Sequence, residues 1–189
     1  MAQLPRERFS LGLSLENYTK LKRMKQLYIL KILLMLEGFA IATPISAQKK
    51  SISWLNFEQL QDSLAVQPKK VYINFYAEWC AYCKKMDEAA YKDPQIIKIL
   101  NTEYYAIKMD AETTDAITFD GQIFENKQFK KKRNPVHEIA LLLASREGLP
   151  FSLPAIVVLN ASLQVTDRYF EYLSPKRMSF VLKTPSHID

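Results

Sequence analysis

The hydrophobic positions of this 189-residue chain fall into short blocks separated by polar or proline-containing breaks. "SISWLNFEQLQDSLA" (51–65) carries Trp54, Leu55, Leu60 and Leu64 among polar residues. That pattern predicts a short strand or coil, then a helix capped by Ser53 or Asn56. "VYINFYA" (71–77) is β-branched and aromatic and predicts a buried strand. "CKKMDEAAY" has helix-forming composition, Asp93-Pro94 interrupts it, and a renewed helix runs to Leu100. "YYAIKMD" (104–110) predicts the next strand. Pro135 to Gly148 has proline at the start, glycine at the end and a ridge of Val136, Ile139, Ala140 and Leu143, the layout of a helix. On it, His137 reads as a partly exposed surface residue. "PAIVVLN" (154–160) and "LQVTDRYFEYL" predict a hairpin turning at Asn160 to Ser162. In the closing helix Ser174 caps, Pro175 takes the first position, and Met178, Val181 and Leu182 face inward.

The resulting order is helix, strand, helix, strand, helix, strand, strand, helix. A strand–helix–strand unit implies a parallel pair, and the last two strands are antiparallel. The prediction is an α/β protein with a mixed central sheet and helices on both faces. Residues 111–134 are polar and irregular, a specificity loop or slack chain. Their run Lys130, Lys131, Lys132 and Arg133 reads first as a solvated loop, with a docking surface for an acidic partner as the sharper alternative.

Charge changes the picture at the N-terminus. The net charge is +6, but residues 1–47 hold seven of the 26 basic residues and three of the 20 acidic ones. The remainder is close to balanced, so a nucleic-acid partner is not expected. A basic start, an apolar run from Leu27 to Ala42, Pro44 and the small pair Ser46-Ala47 form the layout of a secretory signal peptide cleaved after Ala47. Met24 is an alternative start that would leave 1–23 as an upstream extension. Lys31 and Glu37 interrupt the apolar run and argue against a stable membrane span. A soluble amphipathic helix is one alternative, and an uncleaved signal tethering the protein to the outer face of a membrane is another. Export implies an oxidising compartment such as the periplasm. The expected organisation is therefore 1–47 as extension and signal, and 48–189 as one domain with an inserted loop and helix around 111–148.

Cys80 and Cys83 are the only cysteines. A bridge between them closes a tiny loop and removes little entropy from the unfolded chain, so structural stapling explains the pair poorly. They end one predicted strand and open a helix. There the free N–H groups of the helix start favour thiolate over thiol, lowering the pKa from ~8.5 into the range of about 3.5–7.5. The sulfur of Cys80 is expected exposed and easily ionised, and Cys83, one turn on, is placed to resolve a mixed disulfide. Two thiols store the electrons, so no bound cofactor is expected. Metal binding is the chemical rival. Two cysteines supply half of a structural zinc site, and the only histidines are His137 and His187. A two-thiolate copper(I) site remains as an alternative.

"VYINFYAEWCAYCKKMD" resembles the active-site segment of the thioredoxin superfamily, including a tryptophan, Trp79, before the first cysteine. It is most similar to exported thioredoxin-like proteins and to the C-terminal domain of transmembrane disulfide reductases. The resemblance spans about residues 53–183 and implies a thioredoxin fold and thiol–disulfide exchange with protein disulfides, recharged by a redox partner. It implies that Cys80 attacks and Cys83 resolves, and that Pro154 is the family's cis-proline. Trp79, Tyr82, Leu153 and Pro154 then shape the substrate surface. The family's buried aspartate is Asn74 here, and its lysine partner falls near Ala106, so that pair is lost. Asp87, with Glu78 as second candidate, is expected to assist proton movement in its place. The uncharged Ala81-Tyr82 between the cysteines argues for a reductase or isomerase rather than an oxidase. A non-catalytic peptide-binding or chaperone module on the same fold is the alternative that leaves the cysteines incidental.

Overall fold

The computed structural model describes residues 15–37 and 51–184. Contacts divide the chain into 1–47 and 48–189. In the first unit, helix α1 (Leu15–Glu37) runs through Met24 with Leu21, Leu27 and Tyr28 exposed. Among the described residues no helix is long and apolar enough to cross a membrane. The expected cleavage site at Ala47 lies outside the described residues, as does His187.

The second unit is organised by β2 (Lys70–Tyr76). Its run of apolar and aromatic residues is buried from Val71 to Phe75, because both faces of the strand are covered. Beside it lie β3 (Tyr104–Asp110), parallel, and β6 (Ala155–Leu159), antiparallel. β1 (Trp54–Leu55) joins β3 in parallel and β7 (Val165–Tyr169) joins β6 antiparallel, giving the order β1-β3-β2-β6-β7. The expected mixed sheet is present.

Alternation along the strands sends two sets of side chains to opposite faces. Val71, Ile73, Phe75, Ile107, Met109 and Val157 pack with α2 (Phe57–Val66) and α5 (Glu138–Ala144). Tyr72, Ala106, Ile156 and Val158 pack with α3 (Ala81–Glu88), α4 (Pro94–Glu103) and α6 (Pro175–Lys183). Each large apolar side chain buried this way contributes about 1.5–3 kcal/mol. Helix starts follow the sequence signals. Asn56 and Gln59 form a reciprocal capping box, Asp93 accepts from the Gln95 and Ile96 amides, and Ser174 accepts from Arg177. Within α6, Met178 and Leu182 are buried and Val181 is only half-buried.

The segment from 111 to 148 corrects the sequence reading. Residues 111–134 are neither slack nor irregular throughout. They form a hairpin of β4 (Ile117–Phe119) and β5 (Gln122–Phe124), joined by Asp120-Gly121 with φ of 49° and 71°. These are the left-handed conformations a two-residue hairpin turn requires. Ile117 and Phe119 pack onto α2, with Phe119 edge-on to Phe57. The helix expected over Pro135–Gly148 is shorter, Glu138–Ala144. Residues 135–136 stay non-helical, the His137 N–H donates to the Ala111 carbonyl, and Gly148 (φ 67°) serves a turn bridging Arg146 to Leu149.

His137 is also not a surface residue. It is buried and caps α5: Nδ1 accepts from the Ile139 amide at 3.2 Å and Nε2 faces the Asp115 carbonyl at 3.1 Å. Only the neutral ring with its proton on Nε2 satisfies both partners, and burial lowers its pKa from the ordinary value of about 6.5. The unfolded chain therefore binds more protons than the folded one in this window, and stability rises with pH through it. The stabilisation is complete above about pH 6.5 and is lost as pH falls towards the lower folded value. Thermal melting followed from pH 7.5 to 5.5 should show this decline. His137→Asn, which retains a cap without a titrating ring, should flatten it, whereas His137→Ala should lose about 0.5–2 kcal/mol at pH 7.5 from the missing cap.

Candidate functional site

The chain leaves β2 at Tyr76, turns through Ala77–Trp79 with the Cys80 amide donating to the Ala77 carbonyl at 3.0 Å, and enters α3. Cys80 occupies the N-cap position. Its Sγ accepts from the Cys83 amide at 3.2 Å, the kind of contact that stabilises negative charge on sulfur once the bridge is open. The two cysteines are joined in a disulfide with an S–S distance of 2.07 Å. Cys80 is only 3% exposed, a correction to the expected exposed sulfur. In the bridged state Cys80 Sγ is bonded to Cys83 Sγ and faces the Cys83 amide at the helix start.

Leu153 and Pro154 stand at the same end of the sheet. Ala155 pairs with Phe75 near the end of β2, and the Leu153–Pro154 bond before it is cis. Trp79 is 58% exposed, yet it is not free: its Nε1 donates to Glu112 Oε1 at 2.9 Å, and Asn134 Nδ2 donates to the same oxygen at 3.1 Å. Trp79 and Leu153 line a cleft of about 390 Å³ whose other walls include Glu112, Lys132, Val136 and Phe151. Tyr82, 60% exposed, is on another side, 6.3 Å from Tyr172, and Lys85 lies 4.6 Å over the Tyr172 ring.

The carboxylates are distributed differently from the reading of the sequence. Asp87, half-buried one turn past Cys83, is paired with Lys108 at 2.6 Å. Lys108 stands opposite Asn74 in the β2–β3 register and lies over the Tyr76 ring. The expected loss of any lysine partner is thereby corrected. Ala106 faces Tyr72, two residues earlier, while Lys108 extends to Asp87 rather than to a buried aspartate. Asn74 is buried, and its Oδ1 has no hydrogen-bond partner among the described residues. Glu78 is exposed. Sequence reasoning passed over Asp110, at the end of β3 opposite Tyr76. Burial raises its carboxyl above the ordinary range, with Glu112 and Glu78 adding to the shift, although the Glu112 amide donates to it at 2.9 Å. No group of three or more His, Cys, Asp or Glu positioned to hold a metal occurs among the described residues.

Sequence spacing did not mark Glu112, Lys132, Asn134 or Phe151 as neighbours of the dithiol. The one local signal was Asp120-Gly121, which announces a hairpin and hence an ordered segment. Glu112→Ala should detach the indole of Trp79 while costing less than about 1.5 kcal/mol in stability. The Trp79 indole N–H resonance should move and its fluorescence anisotropy fall, and an unchanged indole signal would contradict the tie.

Residues 45–134 match the family Thioredox_DsbH, described as "Protein of unknown function, DUF255". The thiol:disulfide interchange protein DsbD of Campylobacter jejuni (strain RM1221) is 34% identical over 95 residues, 49% of this chain and 16% of that protein. DsbD of Haemophilus ducreyi is 38% identical over 60 residues, 32% of this chain and 10% of that protein. The chain thus spans about a sixth of the length of the first of these relatives. The solved structure of a DsbH oxidoreductase aligns with a TM-score of 0.50 at 14% identity, covering 80% of this chain and 94% of that one. The fold is the thioredoxin fold, as expected from the sequence.

Proposed function

We propose that this chain is an exported thiol–disulfide oxidoreductase that works on protein disulfides through Cys80 and Cys83, as a reductase or isomerase rather than an oxidase. The observation that carries the reading is the Cys83 amide donating to Cys80 Sγ at the start of α3, with the two sulfurs already a closed pair. The relatives described as thiol:disulfide interchange proteins support it.

In the reduced state the Cys80 thiolate attacks one sulfur of a substrate disulfide. A Cys80–substrate disulfide forms and the other substrate sulfur leaves as a thiolate. Cys83 then gives up its proton and attacks Cys80 Sγ. The intramolecular bridge forms, the second substrate thiol leaves, and two electrons have passed to the substrate. A dithiol partner must return two electrons to reopen the bridge. Asp87 and Glu78 are the proposed proton carriers. Asp87 is already engaged by Lys108, and Asp110, whose carboxyl burial raises, joins them as a third. Trp79, Tyr82, Leu153 and Pro154 form the proposed contact surface. Export rests on the N-terminal pattern alone, and the periplasm and a membrane tether are proposed on the same ground.

The test is exchange by the single-cysteine variants. Cys80→Ser should abolish disulfide reduction, and Cys83→Ser should accumulate a mixed disulfide with substrate. Retained activity in Cys80→Ser with loss in Cys83→Ser would invert the roles, and peptide binding that survives replacement of both cysteines, with no exchange by the wild-type chain, would leave a peptide-binding module. Alkylation of the reduced protein should show a midpoint below about 8.5 for Cys80. A reduction potential near about −270 mV supports the reductase, and one near about −120 mV an oxidant.

A further inference from the structure

We propose that the cleft between Trp79 and Leu153 receives the polypeptide segment flanking a substrate's disulfide, and that the cations at 130–133 select segments carrying Asp or Glu beside an apolar residue. This names a substrate class for the dithiol and rests on the reading of the chain as an oxidoreductase of protein disulfides.

The cleft has two kinds of wall. One is apolar, from Val136, Phe151 and Leu153 together with the Trp79 ring. At about 390 Å³ its volume falls within the ~300–1,000 Å³ of ordinary ligand sites, enough to seat side chains of a short segment. The other wall belongs to the segment after β5 and carries Lys132. Lys130, Lys131, Lys132 and Arg133 are all exposed, and none makes an ion pair with a described residue. The neighbouring Lys127, by contrast, is paired with Glu138 at 2.6 Å. The acid in the cleft, Glu112, has its Oε1 engaged by Trp79 and Asn134, whereas Lys132 on the facing wall has no carboxylate partner among the described residues and Lys130 beside it lies over the Phe129 ring at 5.5 Å.

These cations sit on a built turn rather than a loose tail. The Gln128 carbonyl accepts the Lys131 and Lys132 amides at 2.9 and 3.1 Å, and its side-chain Oε1 accepts the Val136 amide at 3.1 Å. Asn126, buried beneath, donates to the Glu112 and Thr113 carbonyls. The Glu125 and Glu138 backbones and the Glu138 carboxylate close the segment onto α5. Positive charge is thus held at the rim of an apolar cleft whose opposite lip, Trp79, adjoins the attacking sulfur in sequence. An acidic and apolar segment satisfies both walls, whereas a small anion leaves the apolar wall uncovered and a basic segment is repelled.

The test uses the full oxidised chain and cysteine-free peptides, so that no exchange chemistry enters. Three peptides of equal length are titrated and followed by the Trp79 indole N–H resonance: one with Asp and Glu beside Leu and Phe, one with the acids replaced by Lys, and one with the apolar residues replaced by Ser. The first should bind at least tenfold more tightly than either of the others at 50 mM salt and should weaken as salt rises to 300 mM. The combined variant Lys130→Glu, Lys131→Glu, Lys132→Glu and Arg133→Glu should reverse the preference between the acidic and lysine peptides. Equal binding of those two, or an unchanged preference in the variant, overturns the proposal. Equal binding of the serine peptide also overturns it, because the cations would then act without the cleft. Reduction of a small disulfide by the reduced wild-type chain is measured separately. Its failure would remove the oxidoreductase reading and leave the peptide measurement to decide the cleft.

Discussion

The amide of Cys83 pointing at the sulfur of Cys80 is the contact on which the rest of this structure depends. A helix N-terminus presents donors that have no partner inside the helix, and a sulfur placed there is the acceptor. For it to stay there, the chain must stop being a strand at Tyr76 and be a helix by Ala81. That demands a rigid strand behind it and a fixed helix ahead. β2 is paired on both edges and covered on both faces, and Met86 anchors α3 with no exposure. Much of the core therefore serves to hold one turn of backbone in place.

The charged side chains around that turn all keep some contact with solvent. Asn74 is neutral where the resemblance calls for an aspartate, which avoids the several kcal/mol that an unpaired buried carboxylate would cost. Lys108, opposite it in the register, instead reaches the half-exposed Asp87. The same face keeps Tyr72 and Tyr91 in a buried hydroxyl–hydroxyl contact at 2.8 Å, with burial raising both phenols. On the far side of the dithiol, Glu112 and Asn134 hold Trp79 from a segment more than thirty residues along the chain. The reactive turn is thus tied to both halves of the domain.

The segment between β3 and β6 joins the site to the rest of the molecule. Its hairpin covers α2, its buried Asn126 and the Lys127–Glu138 pair close it onto α5, and His137 caps that helix from inside. Its outer turn carries exposed cations, and one of them, Lys132, lines the apolar cleft. The apolar wall favours an apolar side chain and the rim charge an acidic one, and together they are the ground for the polypeptide ligand proposed.

Several features were determined by the sequence alone. The Val71–Ala77 run is short, β-branched and aromatic and so predicts a buried strand, Asn56 (one of two caps offered) and Ser174 mark helix starts by local hydrogen bonding, Asp93-Pro94 marks a helix break, and Cys80-x-x-Cys83 falls between a strand and a helix. These depend on contacts between near neighbours, which spacing encodes. The hairpin at Asp120-Gly121 is encoded just as locally, within a polar stretch. Other features depend on residues far apart meeting. The true length of α5 follows from His137 bonding to Ala111, the pairing of Lys108 with Asp87 follows from the β2–β3 register, and the walls of the cleft come from positions 79, 112, 132 and 151. No spacing rule contains those meetings. They exist only because the sheet order and two packed cores bring the segments together, and so tertiary structure alone decided what surrounds the dithiol.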